Sequence, residues 1–314
     1  MEQYNFLPTD DLQPPIPDDR VNSVKIISKS FFAIFILAAV TFFVRWLIEA
    51  LVIRYDPAIV ESNWYIWVTT VISLIGCGFP IYCLIMRTIP DSPKREVQKI
   101  KPSAFIMFFF ICVAAAYISN IFTVVLGVII SIIKGGKLVN PVAEILINES
   151  SIWAFIYAVI LAPIFEELIF RKLLLNKLRR FGDLPAILLT GLAFGLFHFN
   201  LMQFFYASVL GFLFAYITIR SNTIVYSVIL HMMNNFIGTV IAFFMVDNVV
   251  LLFLMLLWEI TGIAVGLTFF FLNRKKIRLE WPIHLLKASA FVLNTGFILF
   301  ALFSVVMIAI NTIA

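Results

Sequence analysis

Apolar residues run along this chain in blocks of about twenty, and the charged residues collect in the gaps between them. Blocks of roughly 20 residues match the hydrocarbon thickness of a bilayer at helical rise. They fall at residues 31–53, 64–86, 104–133 and 151–175, then, after two shorter runs, at 223–246, 249–272 and 285–313. The shorter runs, 184–199 and 204–219, are joined by a polar Asn200–Gln203 link and fit a hairpin that turns inside the membrane. The run from 104 is long enough to tilt. This pattern predicts an all-α polytopic transmembrane helical bundle with eight or nine spans.

Composition sharpens that expectation. The chain of 314 residues is 62% hydrophobic and 13% charged, with a mean hydropathy of +1.03. Soluble domains run about 45–50% apolar and about 25% charged, so a soluble fold is excluded. The net charge of +5 follows from membrane topology and implies no nucleic-acid partner. With the N-terminus cytoplasmic, the inside segments hold 18 Lys and Arg and the outside ones hold Arg54, Lys134 and Lys137, leaving Arg45 and Arg171 within spans. The excess of positive charge on one side predicts that orientation. Residues 1–20 are acidic and Pro-rich, without the apolar core of a signal peptide. The expected organisation is a disordered cytoplasmic tail at 1–30, transmembrane helices at 31–150, a core at 151–250 and C-terminal helices at 251–314. Cys77, Cys83 and Cys112 lie in apolar runs without metal-ligand spacing and read as buried small hydrophobes.

Against this background the polar residues inside spans are few. Glu166, Glu167 and Arg171 lie on the fourth run, His198 near the end of the fifth, and His231, Asn234 and Asn235 on the seventh. Each ionised group at such depth costs several kcal/mol, from about 2.5 upward, unless it pairs or lines a wet cavity. Counting from the cytoplasmic helix ends puts Glu166, His198 and Asn235 at about 20 Å and His231 at about 15 Å, a shared level. Glu167 and Arg171 are i,i+4, the order for an ion pair. That pair leaves Glu166, about 100° round the helix, as the free acid. Gly191 and Gly195 allow close helix approach beside His198, and Phe194 precedes it by one turn. Asn234 reads as a helix-contact residue.

A carboxylate and an imidazole sharing a water can take its proton as it attacks a carbonyl. A second imidazole and an amide one turn apart can donate to an oxyanion. On this reading Glu166 and His198 activate water, while His231 and Asn235 hold the tetrahedral intermediate. The same four groups could instead ligate a divalent metal such as zinc, although no HExxH is present. No nucleophile motif or nucleotide-binding glycine loop occurs. Alternatives are a non-catalytic immunity or scaffold protein that retains the site, and a proton-coupled carrier. No internal repeat supports the carrier.

The ordered trio Glu166-Glu167-x-x-x-Arg171, Phe194-x-x-x-His198 and His231-x-x-x-Asn235 resembles the three signature motifs of the CPBP family, the CAAX proteases and bacteriocin-processing enzymes, also called Abi. The type II CAAX prenyl endopeptidase belongs to that family. The resemblance covers about residues 151–250. It implies an intramembrane endopeptidase acting on a peptide or protein at the bilayer, with its site open to the cytoplasm. Glu166 would be the base, Glu167 and Arg171 its support, His198 its partner, and His231 with Asn235 the oxyanion or metal-binding groups. Family members are often described as metalloproteases, and many bacterial ones as immunity or peptide-maturation proteins. Short loops fit a bacterial cell-membrane protein, whose substrate the sequence does not name.

Overall fold

The computed structural model describes residues 20–62, 64–136, 152–244, 249–277, 279 and 286–313. The described residues are helical throughout their regular structure, without a strand. We number the helices α1 (Arg20–Tyr55), α2 (Tyr65–Arg87), α3 (Pro102–Lys134), α4 (Ile152–Phe181) and α5 (Asp183–Leu196). They continue as α6 (Leu201–Ser221), α7 (Val225–Phe244), α8 (Val249–Asn273), α9 (Ala288–Val292) and α10 (Thr295–Ile313). Seven helices among the described residues are long and apolar enough to cross a membrane: α1 to α4, α6, α8 and α10. Helix α5 and the stretch Val225–Ile241 of α7 are shorter apolar helices. The protein is an all-α polytopic membrane bundle.

Helix boundaries follow local chemistry. Pro102 opens α3 where its missing N–H costs nothing, and Gly135 closes it in the left-handed region at φ 71°. Asn200 caps α6 by accepting from the Met202 N–H at 2.9 Å. Asn222 ends α6 at φ 54°.

Two expectations change. Helix α1 begins at Arg20, inside the segment expected to be a tail, because Ile26, Ile27 and Ser30 are buried in the core. The expected tail at 1–19 lies outside the described residues, as do parts of the runs at 151–175, 223–246 and 285–313. The last run is broken: Asn294 separates α9 from α10, accepting from the Phe297 N–H and donating to the Phe291 carbonyl, each at 3.0 Å. That side chain caps a new helix and so ends the previous one.

Helix α6 is the most buried of the seven and sits at the centre, packed on α5, α3 and α7. Helix α8 is the least buried and lies on α3 with Phe253, Leu256 and Ile260 outward, as an apolar helix can where its surroundings are hydrocarbon. Helices α5 and α6 approach so closely that a Cβ on Gly195 would stand 2.6 Å from the Phe204 carbonyl oxygen, and one on Gly211 2.8 Å from the Gly191 Cα. Only glycine fits at these crossings. Close packing brings the α6 backbone within reach of side chains on α4.

The end of the bundle that carries the basic residues is tied by polar contacts. Lys177 donates to the Ile89 carbonyl at 2.7 Å and pairs with Asp91. Arg179 donates to Asn222 at 2.5 Å, and Asn222 to the Glu96 carbonyl at 2.6 Å. The α2–α3 segment is thereby fastened across the ends of α4 and α6.

Candidate active site

Helix α4 carries both glutamates and is not a uniform α-helix. It winds as a π-helix over Tyr157–Leu161 and again over Leu168–Leu175, with α-helical Ala162–Glu167 between. The π register explains a contact that spacing alone could not give. The Ala162 N–H bonds the Tyr157 carbonyl, five residues back. The next residue, Pro163, would bond Ala158 in the same register, but proline has no N–H. Asn235 on α7 supplies the missing donor: its Nδ2 reaches the Ala158 carbonyl at 2.8 Å. The second π stretch is met similarly, with the Tyr82 hydroxyl donating to the Ile169 carbonyl at 3.1 Å.

The adjacent carboxylates have opposite environments. Glu167 is fully buried and pairs with Arg171 at 3.1 Å. Arg171 also donates to the Gly211 carbonyl at 3.2 Å and lies 4.4 Å from the Phe194 ring centroid. Charge pairing, a hydrogen bond and an aromatic face together offset the cost of burying the guanidinium. Glu166 keeps 21% of its side chain exposed and forms no ion pair with Arg171.

His231 joins the two. Its Nδ1 lies 3.1 Å from Glu167 Oε1 and its Nε2 3.5 Å from Glu166 Oε2, while the ring stacks on Phe214 with centroids 5.0 Å apart. The Arg171-paired Glu167 carboxylate accepts the Nδ1 proton, which leaves Nε2 turned toward Glu166. His198 is oriented differently. Its Nδ1 lies 2.8 Å from the Phe194 carbonyl, which can only accept, so Nδ1 carries the hydrogen and a neutral ring has Nε2 bare. Phe194 sits edge-on to both imidazoles, at 4.9 Å from His198 and 5.6 Å from His231.

Glu166 and His198 line one cavity of about 190 Å³, together with Arg45, Thr70, Ser73 and Tyr157. Its direction can be read from ring contacts. Phe165 meets Phe79 at 5.3 Å at the Glu166 level, and Tyr157 meets Trp67 at 5.3 Å nearer the start of α2. The space therefore rises from Glu166 toward the end where α1 finishes and α2 begins. It exists because α5 stops after 14 residues, while α1 continues past the α5–α6 turn. The loop charges predict this to be the outer end, whereas the resemblance implied an opening on the cytoplasmic side.

The expected residues thus fall into two groups. Glu166 and His198 face the cavity; Glu167, Arg171 and His231 stand behind Glu166. Asn235 is drawn away to Ala158, and Asn234 donates to the Leu230 carbonyl of its own helix at 2.8 Å. The four groups expected to share a metal are not gathered as a ligand set: among the described residues no three His, Cys, Asp or Glu side chains stand close enough to hold an ion. His231 is committed to the two carboxylates and Asn235 to a backbone carbonyl, so these residues do not fit a bound zinc as they are placed. Sequence reading missed Asn311, which donates to the Phe199 carbonyl at 2.8 Å. Phe199 follows His198 and holds φ 51°. Pro163 was the available signal for Asn235; no signal pointed to Asn311.

Comparison with known proteins places the same stretch of the chain in a family. Residues 148–237, the stretch holding all three motifs, match the family described as Type II CAAX prenyl endopeptidase Rce1-like. A Bacillus subtilis (strain 168) protein named "Putative membrane peptidase YdiL" is 30% identical over 172 residues, covering 53% of this chain and 68% of that protein. The chain belongs to the CAAX protease (CPBP) family. It is an integral membrane protein of a membrane-peptidase family, in keeping with the bacterial cell membrane. No solved structure matches it.

Proposed function

We propose that the chain is an intramembrane endopeptidase that hydrolyses a peptide bond of a membrane-associated substrate, with water activated by Glu166 and His198. The observation that carries this reading is the division of labour between the glutamates. Arg171 is occupied by Glu167, and Glu166 is left to share a cavity with His198.

In this reading water lies between the Glu166 carboxylate and His198 Nε2. Glu166 takes a proton as the oxygen attacks the carbonyl carbon, and the bare Nε2 accepts the second O–H and aims the lone pair. The proton on Glu166 then passes to the leaving amine, returning the carboxylate. His231 fixes Glu166 from behind and is itself anchored by Glu167 and Arg171. Asn235 acts as a positioning residue that holds the π turn one helical step before Glu166. No covalent intermediate forms.

The test is mass spectrometry of membrane-associated peptides from cells carrying the wild-type chain or Glu166→Ala. Peptides with new termini should appear with the wild type and be absent with the variant. Identical peptide profiles from the two would overturn the proposal.

A further inference from the structure

The reaction above makes no use of Arg45, yet this residue lines the same cavity. It projects from α1 on the face formed by Ala38, Thr41 and Phe42. It is half-buried in a helix that spans the membrane, and no ion pair among the described residues includes it. Glu49, one turn further along α1, is the acid on its own helix and stands outside the cavity lining. An arginine kept inside a span without a partner calls for a ligand or a wet path.

The rest of the lining shows which kind. Four hydroxyls border the space, and three have already given their protons to backbone: Thr41 to the Leu37 carbonyl at 2.7 Å, Thr70 to Ile66 at 2.7 Å and Ser73 to Thr70 at 3.3 Å. Apart from the Tyr157 hydroxyl, this leaves the guanidinium as the strong donor. Phe42, Leu74, Phe197 and Phe199 supply apolar walls. The cavity thus has a cation toward one end, Glu166 toward the other and apolar surface between. Helix register fixes the offset. A Cβ on Gly78 would meet Leu37 and Thr41, so Thr41 is level with the Glu166 end of α2. Arg45 lies one turn beyond, about 6 Å along the axis. That offset is on the order of two residues of extended chain.

We propose that Arg45 binds a carboxylate of the substrate and so sets how far from it the chain is cut. The carboxylate is either a chain terminus or an Asp or Glu side chain. A guanidinium pairs such a group through two parallel hydrogen bonds, in a setting with little competing water. Calling the ligand a substrate rests on the peptidase reading; the site itself does not.

The test measures binding without cleavage, on the full chain in lipid nanodiscs and in a Glu166→Gln background. Three probes are used: N-dodecanoyl-Ala-Leu with a free carboxylate, its C-terminal amide, and N-dodecanoyl-Ala-Asp amide. At least one acid should bind about tenfold more tightly than the amide, as a charge-assisted pair gives. The acid that does so names the source of the carboxylate. Arg45→Gln should bring the ratio close to one, and Arg45→Lys should keep part of it. The lysine variant retains the charge, and so decides the matter if the glutamine variant does not fold. Equal binding of acid and amide to the parent chain, or a preference that survives Arg45→Gln, would overturn the proposal. Because no bond is broken, failure here leaves the peptidase reading standing, and failure of the Glu166→Ala comparison leaves the carboxylate site standing.

Discussion

Two sides of one helix, α4, treat a glutamate in opposite ways. On the sealed side Glu167 meets Arg171 and His231 beneath Phe194 and Phe214, all of them buried. On the open side Glu166 faces a cavity with His198 and Arg45. The difference teaches that adjacent carboxylates need not share a role. The sealed one has its charge paired, with Arg171 and His231 both on Glu167 Oε1. The open one is left free of Arg171 beside a cavity, and His231 stands between the two, 3.1 Å from Glu167 and 3.5 Å from Glu166.

The largest effect should come from breaking the sealed side. Glu167→Ala strands the Arg171 guanidinium in a dry interior, at a cost of about 3–5 kcal/mol. It should lower the thermal midpoint sharply and abolish cleavage as well. Glu166→Gln removes a partly exposed group, and should lower cleavage by about 10²–10⁴ while leaving the midpoint close to wild type. Melting curves of both variants in one detergent decide this. Equal loss of stability would erase the distinction between the two sides.

A second experiment sharpens the comparison at Asn235. Removing its side chain leaves the Ala158 carbonyl without a donor, which should cost about 1–3 kcal/mol. Pro163→Ala restores a backbone N–H that can close the helix in either register. The double variant Asn235→Ala with Pro163→Ala should therefore recover most of the stability lost by Asn235→Ala alone. Cleavage should recover with it if Asn235 acts by positioning. Stability regained without activity would return Asn235 to the oxyanion role read from the sequence.

Much of this was legible in the chain because membranes make polar residues conspicuous. Glu166, Glu167, Arg171, His198 and His231 stand out in apolar runs, and helical spacing was enough to pair Glu167 with Arg171. Spacing failed where the backbone left the α register. A regular helix gives no reason for Asn235 to seek Ala158; the reason is a π turn that meets a proline. The fold at Asn294 was missed for a related cause, since hydropathy averages over a cap that one side chain creates. Arg45 was visible as a charge within a span, yet its place in the cavity depends on α5 ending early, a tertiary fact. The C-terminal helices matched no motif, and one of them nonetheless reaches the site.

That reach gives the smallest effect. His198 stands at the end of α5, where the chain turns through Phe199 at φ 51°, a backbone region that a bulky residue rarely adopts. Asn311, near the end of α10, donates to the Phe199 carbonyl at 2.8 Å and holds the turn. Phe42 and Phe303 pack on the Phe199 ring at 5.1 and 5.8 Å, so the turn keeps most of its support when the amide is removed. Asn311→Ala should cost about 1 kcal/mol of stability. If His198 aims water as proposed and the substrate is held elsewhere, cleavage should fall only several-fold, in kcat more than in KM. A loss confined to KM would place Asn311 with substrate binding, and an unchanged kcat would show that the packed phenylalanines hold His198 unaided.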